Sequence, residues 1–411
     1  AGGVCLADVD SDGDVDVFLA AQGGSNQLWF NDGGGAFEDV TAGWAAGGFA
    51  PSAGCAFGDA DGDGLMDVFV ANQGDRGELL MNSGAGFVED GVARGLSAVD
   101  DGSGVAWGDV DGDGDVDLVA CGSAVLGPRL YINTGGGVFS EESAGRGVRA
   151  GGRTTYQPVL VDVDSDSWLD LLIATSAGNV LFVNTGGGLF VDESSTRWGT
   201  SSESFWGLAV GDWNHDGAVD VFATGQTTRD LLYSNSGVFA EVGASVGMSA
   251  AANTSGVVMF DIENDGDLDL LVGANAGQDF VWVNGGGLGF SAGPAALNVG
   301  WSGPSLGLAV GDLDGDGDLD VVSGQRGATA LNNNARPGLA STVFIRPLSA
   351  AGAPSVFGAT VRLTCEEGCG GPWVGVRVID GGSSLFSQNA YDACFGVPDV
   401  HGSYNGSVRW P

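Results

Sequence analysis

Short apolar runs, broken by clusters of Asp, Asn and Gly, recur along the first four fifths of the chain. In residues 1–41 the order is Val4-Cys5-Leu6-Ala7, an acidic stretch Asp8–Asp16, Val17-Phe18-Leu19-Ala20, Gln27-Leu28-Trp29-Phe30, and a turn into Ala36-Phe37-Glu38-Asp39-Val40. Apolar runs this short, bounded by turn residues, predict strands, so the unit has four of them. The turn before the last strand, Asn31-Asp32-Gly33-Gly34-Gly35, returns as Asn133-Thr134-Gly135-Gly136-Gly137 and Asn184-Thr185-Gly186-Gly187-Gly188, each followed two residues later by Phe. Asn and Gly tolerate the positive φ that a tight hairpin needs. Asn82, Asn235 and Asn284 fall at the same offset, so the strands keep register from unit to unit.

The acidic stretch is a nine-residue frame with carboxylates at positions 1, 3, 5 and 9 and Gly at 6, and it opens seven times, at Asp8, Asp59, Asp109, Asp162, Asp212, Asp261 and Asp312. The intervals are 51, 50, 53, 50, 49 and 51 residues. A fixed period of this size marks an array of one supersecondary unit. The frame reads as a calcium loop, because that ion takes six to eight oxygens at ~2.3–2.6 Å and alternate residues of a curled loop point inward. Position 7 adds its backbone carbonyl. Where an EF-hand would place its closing Glu stands Ser323, after Val321-Val322, so these loops join strands.

The candidate ligands are Asp8, Asp10, Asp12, Asp14 and Asp16 in the first loop and Asp59, Asp61, Asp63, Leu65 and Asp67 in the second. The third offers Asp109, Asp111, Asp113, Asp115 and Asp117, and the fourth Asp162, Asp164, Asp166, Trp168 and Asp170. The fifth offers Asp212, Asn214, Asp216, Ala218 and Asp220, the sixth Asp261, Glu263, Asp265, Asp267 and Asp269, and the seventh Asp312, Asp314, Asp316, Asp318 and Asp320. Ser167 replaces Gly in the fourth loop, at a cost of about 1 kcal/mol if the position is left-handed. Asn214 removes a charge from the fifth, and Glu263 lengthens one arm of the sixth. Up to seven Ca2+ ions are expected, with the fourth and fifth sites weakest.

Before several loops stands an apolar-Gly pair: Phe57-Gly58, Trp107-Gly108, Val210-Gly211 and Leu308-Ala309-Val310-Gly311. With the acidic loops, these pairs resemble the FG-GAP (VCBS-type) repeats of integrin α-subunit propellers. The resemblance implies calcium in loops joining the first and second strands of each blade, on one face of a disc. Four-stranded units of this length suggest an all-β, seven-bladed β-propeller spanning residues 1–335. The seventh repeat lacks the Gly-rich turn and fourth strand after Leu331-Asn332-Asn333-Asn334. Either a strand upstream of residue 1 or Thr342-Val343-Phe344-Ile345 is expected to complete it.

From Ser341 onward the pattern changes to Thr342–Ile345, Phe357–Leu363, Val374–Ile379, Gly381–Gln388, Cys394–Val397 and Val408–Pro411, which reads as a small C-terminal antiparallel β domain, 341–411. Gly358-Ala359-Thr360-Val361, Ser387-Gln388, Phe395-Gly396 and Trp410-Pro411 resemble the ASPIC/UnbV module that follows FG-GAP repeats in the cartilage acidic protein family. Cys394 stands where that pattern often has His.

The formal charge is −39, and 27 of the 53 acidic residues occupy the four carboxylate positions of the loops. Seven divalent ions would cancel 14 charges and leave a protein that repels nucleic acid and anionic membranes. All 14 basic residues are Arg. No apolar run is long enough to span a bilayer, so no direct membrane insertion is expected. Cys365, Cys369 and Cys394 crowd the last fifty residues and suggest a disulfide there, whereas Cys5, Cys55 and Cys121 read as small buried hydrophobes. Millimolar calcium and disulfides both point to an extracellular protein.

With two His and no Lys, the usual acid–base and nucleophilic groups are scarce, and no enzyme is expected. His215 and His401 read as solvated turn residues. Trp29, Tyr131, Phe182, Tyr233 and Trp282 recur in the third strand and read as core. Trp44, Trp198, Trp206 and Trp301 lie between units or near their first strands. Asn253-Thr254-Ser255 and Asn405-Gly406-Ser407 fit the N-glycan acceptor pattern. The expected role is a calcium-stabilised protein interaction, adhesion or structural module of a cell surface, matrix or appendage. Its partner would be an extracellular protein or glycan, or another copy by self-assembly. A lectin is the first alternative and a polysaccharide-degrading enzyme a distant one.

Overall fold

The computed structural model describes residues 2–48, 51–97, 102–199, 202–227, 229–248, 253–286, 289–293, 304–325, 328–332, 341–348, 357–367, 374–382, 384–397 and 403–410. The chain is all-β, built from repeated four-stranded antiparallel sheets. In the first repeat the strands are β1 (Val4–Ala7), β2 (Asp16–Leu19), β3 (Gln27–Asn31) and β4 (Phe37–Asp39), paired in that order. The register Val4↔Leu19, Ala7↔Asp16, Val17↔Trp29 and Asn31↔Phe37 places each acidic loop between the first and second strands. The next five repeats copy this meander, and among the described residues the seventh has three strands, Ser305–Gly311, Asp320–Gln325 and Ala328–Asn332.

First and second strands are buried on both faces, while fourth strands turn outward residues to solvent. This explains the unbroken apolar runs: each sheet packs face to face on its neighbours, so alternation is lost in the inner strands. In the third strands Tyr131, Phe182, Tyr233 and Trp282 are buried, as their recurrence predicts, while Trp29 is half-buried against the core. Trp107 crosses between sheets, its indole N–H donating to the Ala56 carbonyl at 3.0 Å. A Cβ on Gly58 would stand 3.0 Å from the Trp107 ring, which is why Gly precedes the loop there.

Neighbouring sheets are clasped by one repeated Asn at the end of the third strand. Asn82, Asn133, Asn184, Asn235 and Asn284 donate through Nδ2 to the carbonyls of Val9, Ala60, Val110, Val163 and Trp213, each in the loop of the preceding repeat, at 2.8–2.9 Å. Asn31 makes the same bond to Leu313 of the seventh repeat at 2.8 Å. The first strands of these two repeats also pack on one another. None of the six Asn has positive φ. Their recurrence reflects hydrogen bonding and not the left-handed turn geometry that the sequence suggests.

Three other expectations are corrected. Ser341–Ile345 does not complete the seventh sheet, because it pairs with Ala393–Val397. Cys5 and Cys55 are not free hydrophobes but a disulfide joining the first strands of adjacent repeats, whereas Cys121 and Cys394 are free and buried. Cys365 is also disulfide-bonded, and Cys369 lies outside the described residues. Finally, the described residues of Gly381–Gln388 form no strand.

That last segment, with Asn389 and Ala390, threads among the first strands. Gln388 donates from its backbone N–H to Val4 and accepts from Leu6, while its side chain bridges the backbone of Phe57 in the second repeat at 2.7 and 3.1 Å. The Gly381 carbonyl accepts from Trp107, and the Ser384 hydroxyl accepts from Val257 and Leu308. Five repeats thus satisfy otherwise orphaned inner-strand amides on one stretch of chain.

Candidate metal sites

Each acidic loop is shaped by two left-handed residues. Position 6 has φ between 75° and 103°, including Ser167 at 75°, so the strain expected of that serine is present. Position 4 is left-handed as well, at Ser11, Gly62, Gly112, Ser165, His215, Asn264 and Gly315. The confinement of position 4 to Gly, Ser, Asn and His was the available signal for this second bend.

The carboxylates then divide the work. Position 9 is the buried anchor: Asp16, Asp67, Asp117, Asp170, Asp269 and Asp320 each accept the backbone N–H of position 2 at 2.8–3.0 Å. Asp16, Asp67, Asp117, Asp170, Asp220 and Asp269 also accept the N–H of the clasping Asn at 2.7–3.0 Å. Position 5, occupied by Asp12, Asp63, Asp113, Asp166, Asp216, Asp265 and Asp316, caps the N–H of position 7 at 2.9–3.1 Å.

Among the described residues, five loops bring three carboxylates within 4.8 Å of one another: Asp8, Asp10 and Asp16; Asp59, Asp61 and Asp67; Asp109, Asp111 and Asp117; Asp162, Asp164 and Asp170; and Asp312, Asp314 and Asp316. These groups fit a hard cation by two tests. Buried oxygens are left without a hydrogen-bond partner at Asp8, Asp61 and Asp111. Burial, aided by neighbouring carboxylates, pushes Asp16 and Asp170 up to about 7 and Asp67 and Asp117 up to about 8. Such carboxylates resist ionising together unless a cation offsets them.

Position 3 has a support that the sequence reading missed. Arg94, Arg146 and Arg197 hold Asp61, Asp111 and Asp164 at 3.0–3.2 Å and donate to carbonyls of Gly136, Gly187 and Gly237 in the following repeat. Each Arg stands 33–35 residues after its Asp, a spacing visible in the chain. In these three loops the position-3 carboxylate is thereby held by protein contacts alone.

The fifth and sixth loops do not gather three carboxylates. Asn214 instead donates to Ser234 at 3.1 Å, and Asp212 accepts the N–H groups of Asp216 and Gly217. His215 is not a solvated turn residue. Its Nε2 lies 2.7 Å from Asp267 of the sixth loop and its Nδ1 3.0 Å from the Val374 carbonyl, so both nitrogens face acceptors. The hydrogen bond to Asp267 raises its pKa. His401 and Trp301 lie outside the described residues.

Periodic four-stranded sheets with acidic corners define a repeat protein whose loops are shaped for cations. The FG-GAP-like repeat model matches residues 8–70, 59–120, 162–223, 214–272 and 261–323, and the chain belongs to that family. It is 27% identical over 298 residues to cartilage acidic protein 1 of Homo sapiens and 28% identical over 294 residues to that of Xenopus tropicalis. Both alignments take in 66% of this chain, and the chain spans only 42% of those relatives' length. A lectin of Agrocybe aegerita, solved for its recognition of non-reducing terminal N-acetylglucosamine, superposes with a TM-score of 0.51 at 19% identity, over 81% of this chain and 91% of that one. That likeness speaks to the propeller-like fold alone.

Proposed function

We propose that the chain is a closed, seven-bladed β-propeller with calcium in its acidic loops, serving outside the cell as a protein interaction, adhesion or structural module. The observation that carries this reading is the periodic convergence of three carboxylates, with unpartnered oxygens left at Asp8, Asp61 and Asp111. When bound, calcium supplies positive charge to loops that otherwise repel themselves. Ring closure is supported by the Asn31–Leu313 bond, and the extracellular setting by the Cys5–Cys55 disulfide and the similarity to cartilage acidic protein 1. The repeats, 1–335, would form the ring and 341–411 a module seated on it. Its partner would be a protein, with glycan binding and self-assembly as the other outcomes. No enzymatic role is proposed; among the described residues, His215 is committed to Asp267 and Val374.

The decisive measurement is a melt of the purified chain in millimolar calcium and in EGTA, with bound metal counted in parallel. Ions that bind only folded loops raise the midpoint by linkage, so chelation lowers it by several degrees. Identical melts with no bound ion would end this reading. Crosslinking in a matrix extract then identifies the partner.

The lectin reading is favoured by one feature: Trp206 is half-buried beside Tyr156, ring centroids 6.1 Å apart, with its indole N–H unpartnered. Glycan-array binding that disappears in Trp206→Ala would make it the better description.

A further inference from the structure

We infer that the sixth loop takes no metal ion, because the guanidinium of Arg377, from the C-terminal module, is its resident cation. Asp261, at position 1 of this loop, is buried and has both carboxylate oxygens engaged. Its Oδ1 accepts the N–H of Asp265 at 3.0 Å. Its Oδ2 accepts the N–H of Gly266 at 2.8 Å and that of Gly396 at 3.2 Å, and lies 3.8 Å from Arg377 Nη2. The same guanidinium donates to the Gly266 carbonyl at 3.5 Å and to the Cys394 carbonyl at 2.8 Å, and it lies 4.9 Å above the Phe395 ring. Arg377 is 8% exposed, so its charge is taken from water and compensated by groups of this loop and of strand Ala393–Val397. A buried cation of this kind is tolerated only with such partners.

Comparison with the fourth loop, and contacts within the sixth, set this loop apart. The fourth loop also meets an arginine, Arg409, at 3.1 Å from Asp162, yet that side chain is 37% exposed and Asp162, Asp164 and Asp170 still converge. The sixth loop's own carboxylates, like those of the fifth, do not converge. Two of its residues are also diverted: Asn264 donates to Asp318 of the seventh loop at 2.5 Å, and Asp267 faces His215 of the fifth. The sixth loop is therefore a junction, tied to both flanking loops and to the C-terminal module by side chains alone. Its shape, and the seat of the module upon it, are independent of calcium supply.

The test uses the full chain and two kinds of variant, and it draws on the calcium reading only for the comparison between loops. In EGTA, Arg377→Gln should speed amide exchange at Gly266 and Gly396 at least ~10-fold relative to the parent, because it leaves the buried Asp261 without its cation. Unchanged exchange at both amides would overturn the assignment. In calcium, Glu263→Gln combined with Asp265→Asn should leave the number of bound ions as in the parent, whereas Asp10→Asn combined with Asp12→Asn should remove one. Loss of one ion in the sixth-loop variant would also overturn it. If the parent binds no calcium at all, the calcium reading falls, while the exchange measurement in EGTA still decides the role of Arg377.

Discussion

Asn31 Nδ2 donates to the Leu313 carbonyl across 282 residues, with the same partner position and length as the clasps between consecutive repeats. If the array is a ring, Asn31→Ala costs what Asn133→Ala costs, about 2–3 kcal/mol, because each leaves buried carbonyls unpaired. Urea melts of the two variants in calcium check this. A much smaller effect for Asn31→Ala would indicate an open array.

Arg146 predicts a change in ion affinity without direct ligation. It orients Asp111 at 3.0 Å and is anchored to Gly187 of the next repeat. Arg146→Met should weaken binding at the third loop about 10-fold, the usual range for an outer support of a metal ligand. Calorimetric titration reads it, and Arg76→Met, a partner of Glu89 on the surface, should change nothing.

The disulfide between Cys5 and Cys55 closes a 50-residue loop. Replacing both by Ala should cost about 4 kcal/mol on the chain-entropy model. Cys121 should resist thiol reagents until unfolding, since burial pushes its thiol up to about 12.

Asp230 and Asp279 lie away from the metal loops, and burial pushes both up to about 6. Asp279 accepts the N–H of Ala274 at 2.8 Å and the hydroxyl of Ser305 at 2.5 Å; Asp230 accepts from Gly225 and Thr254. The folded chain therefore holds protons that the unfolded chain releases above its ordinary carboxylate pKa. This contribution is fully present below pH 3.8 and is lost as pH rises through about 6. Asp279→Asn should accordingly be about 1–2 kcal/mol more favourable at pH 8 than at pH 5, measured by melts in saturating calcium.

Strand order, loop position and the carboxylate frame were legible because each is written in local spacing. Position 9 of every loop and the recurring third-strand aromatics needed only the repeat period. Contacts between repeats were harder. Cys5 and Cys55 are one period apart on adjacent first strands, a hint that composition alone obscured. The role of the clasping Asn was masked by its fame as a turn residue. Arg377 and Ser341–Ile345 owe their places to long-range packing of the C-terminal module, and no local pattern encodes it.

The stretch 381–390, hydrogen-bonded to Val4, Phe57, Trp107, Val257 and Leu308, has a consequence for assembly and for access. Amides of the first repeat wait for acceptors translated some 380 residues later, so its sheet cannot finish docking until the stretch has been made. If the array closes into a ring, this stretch plugs its hub, and visiting molecules are left the outer walls and the two flat ends.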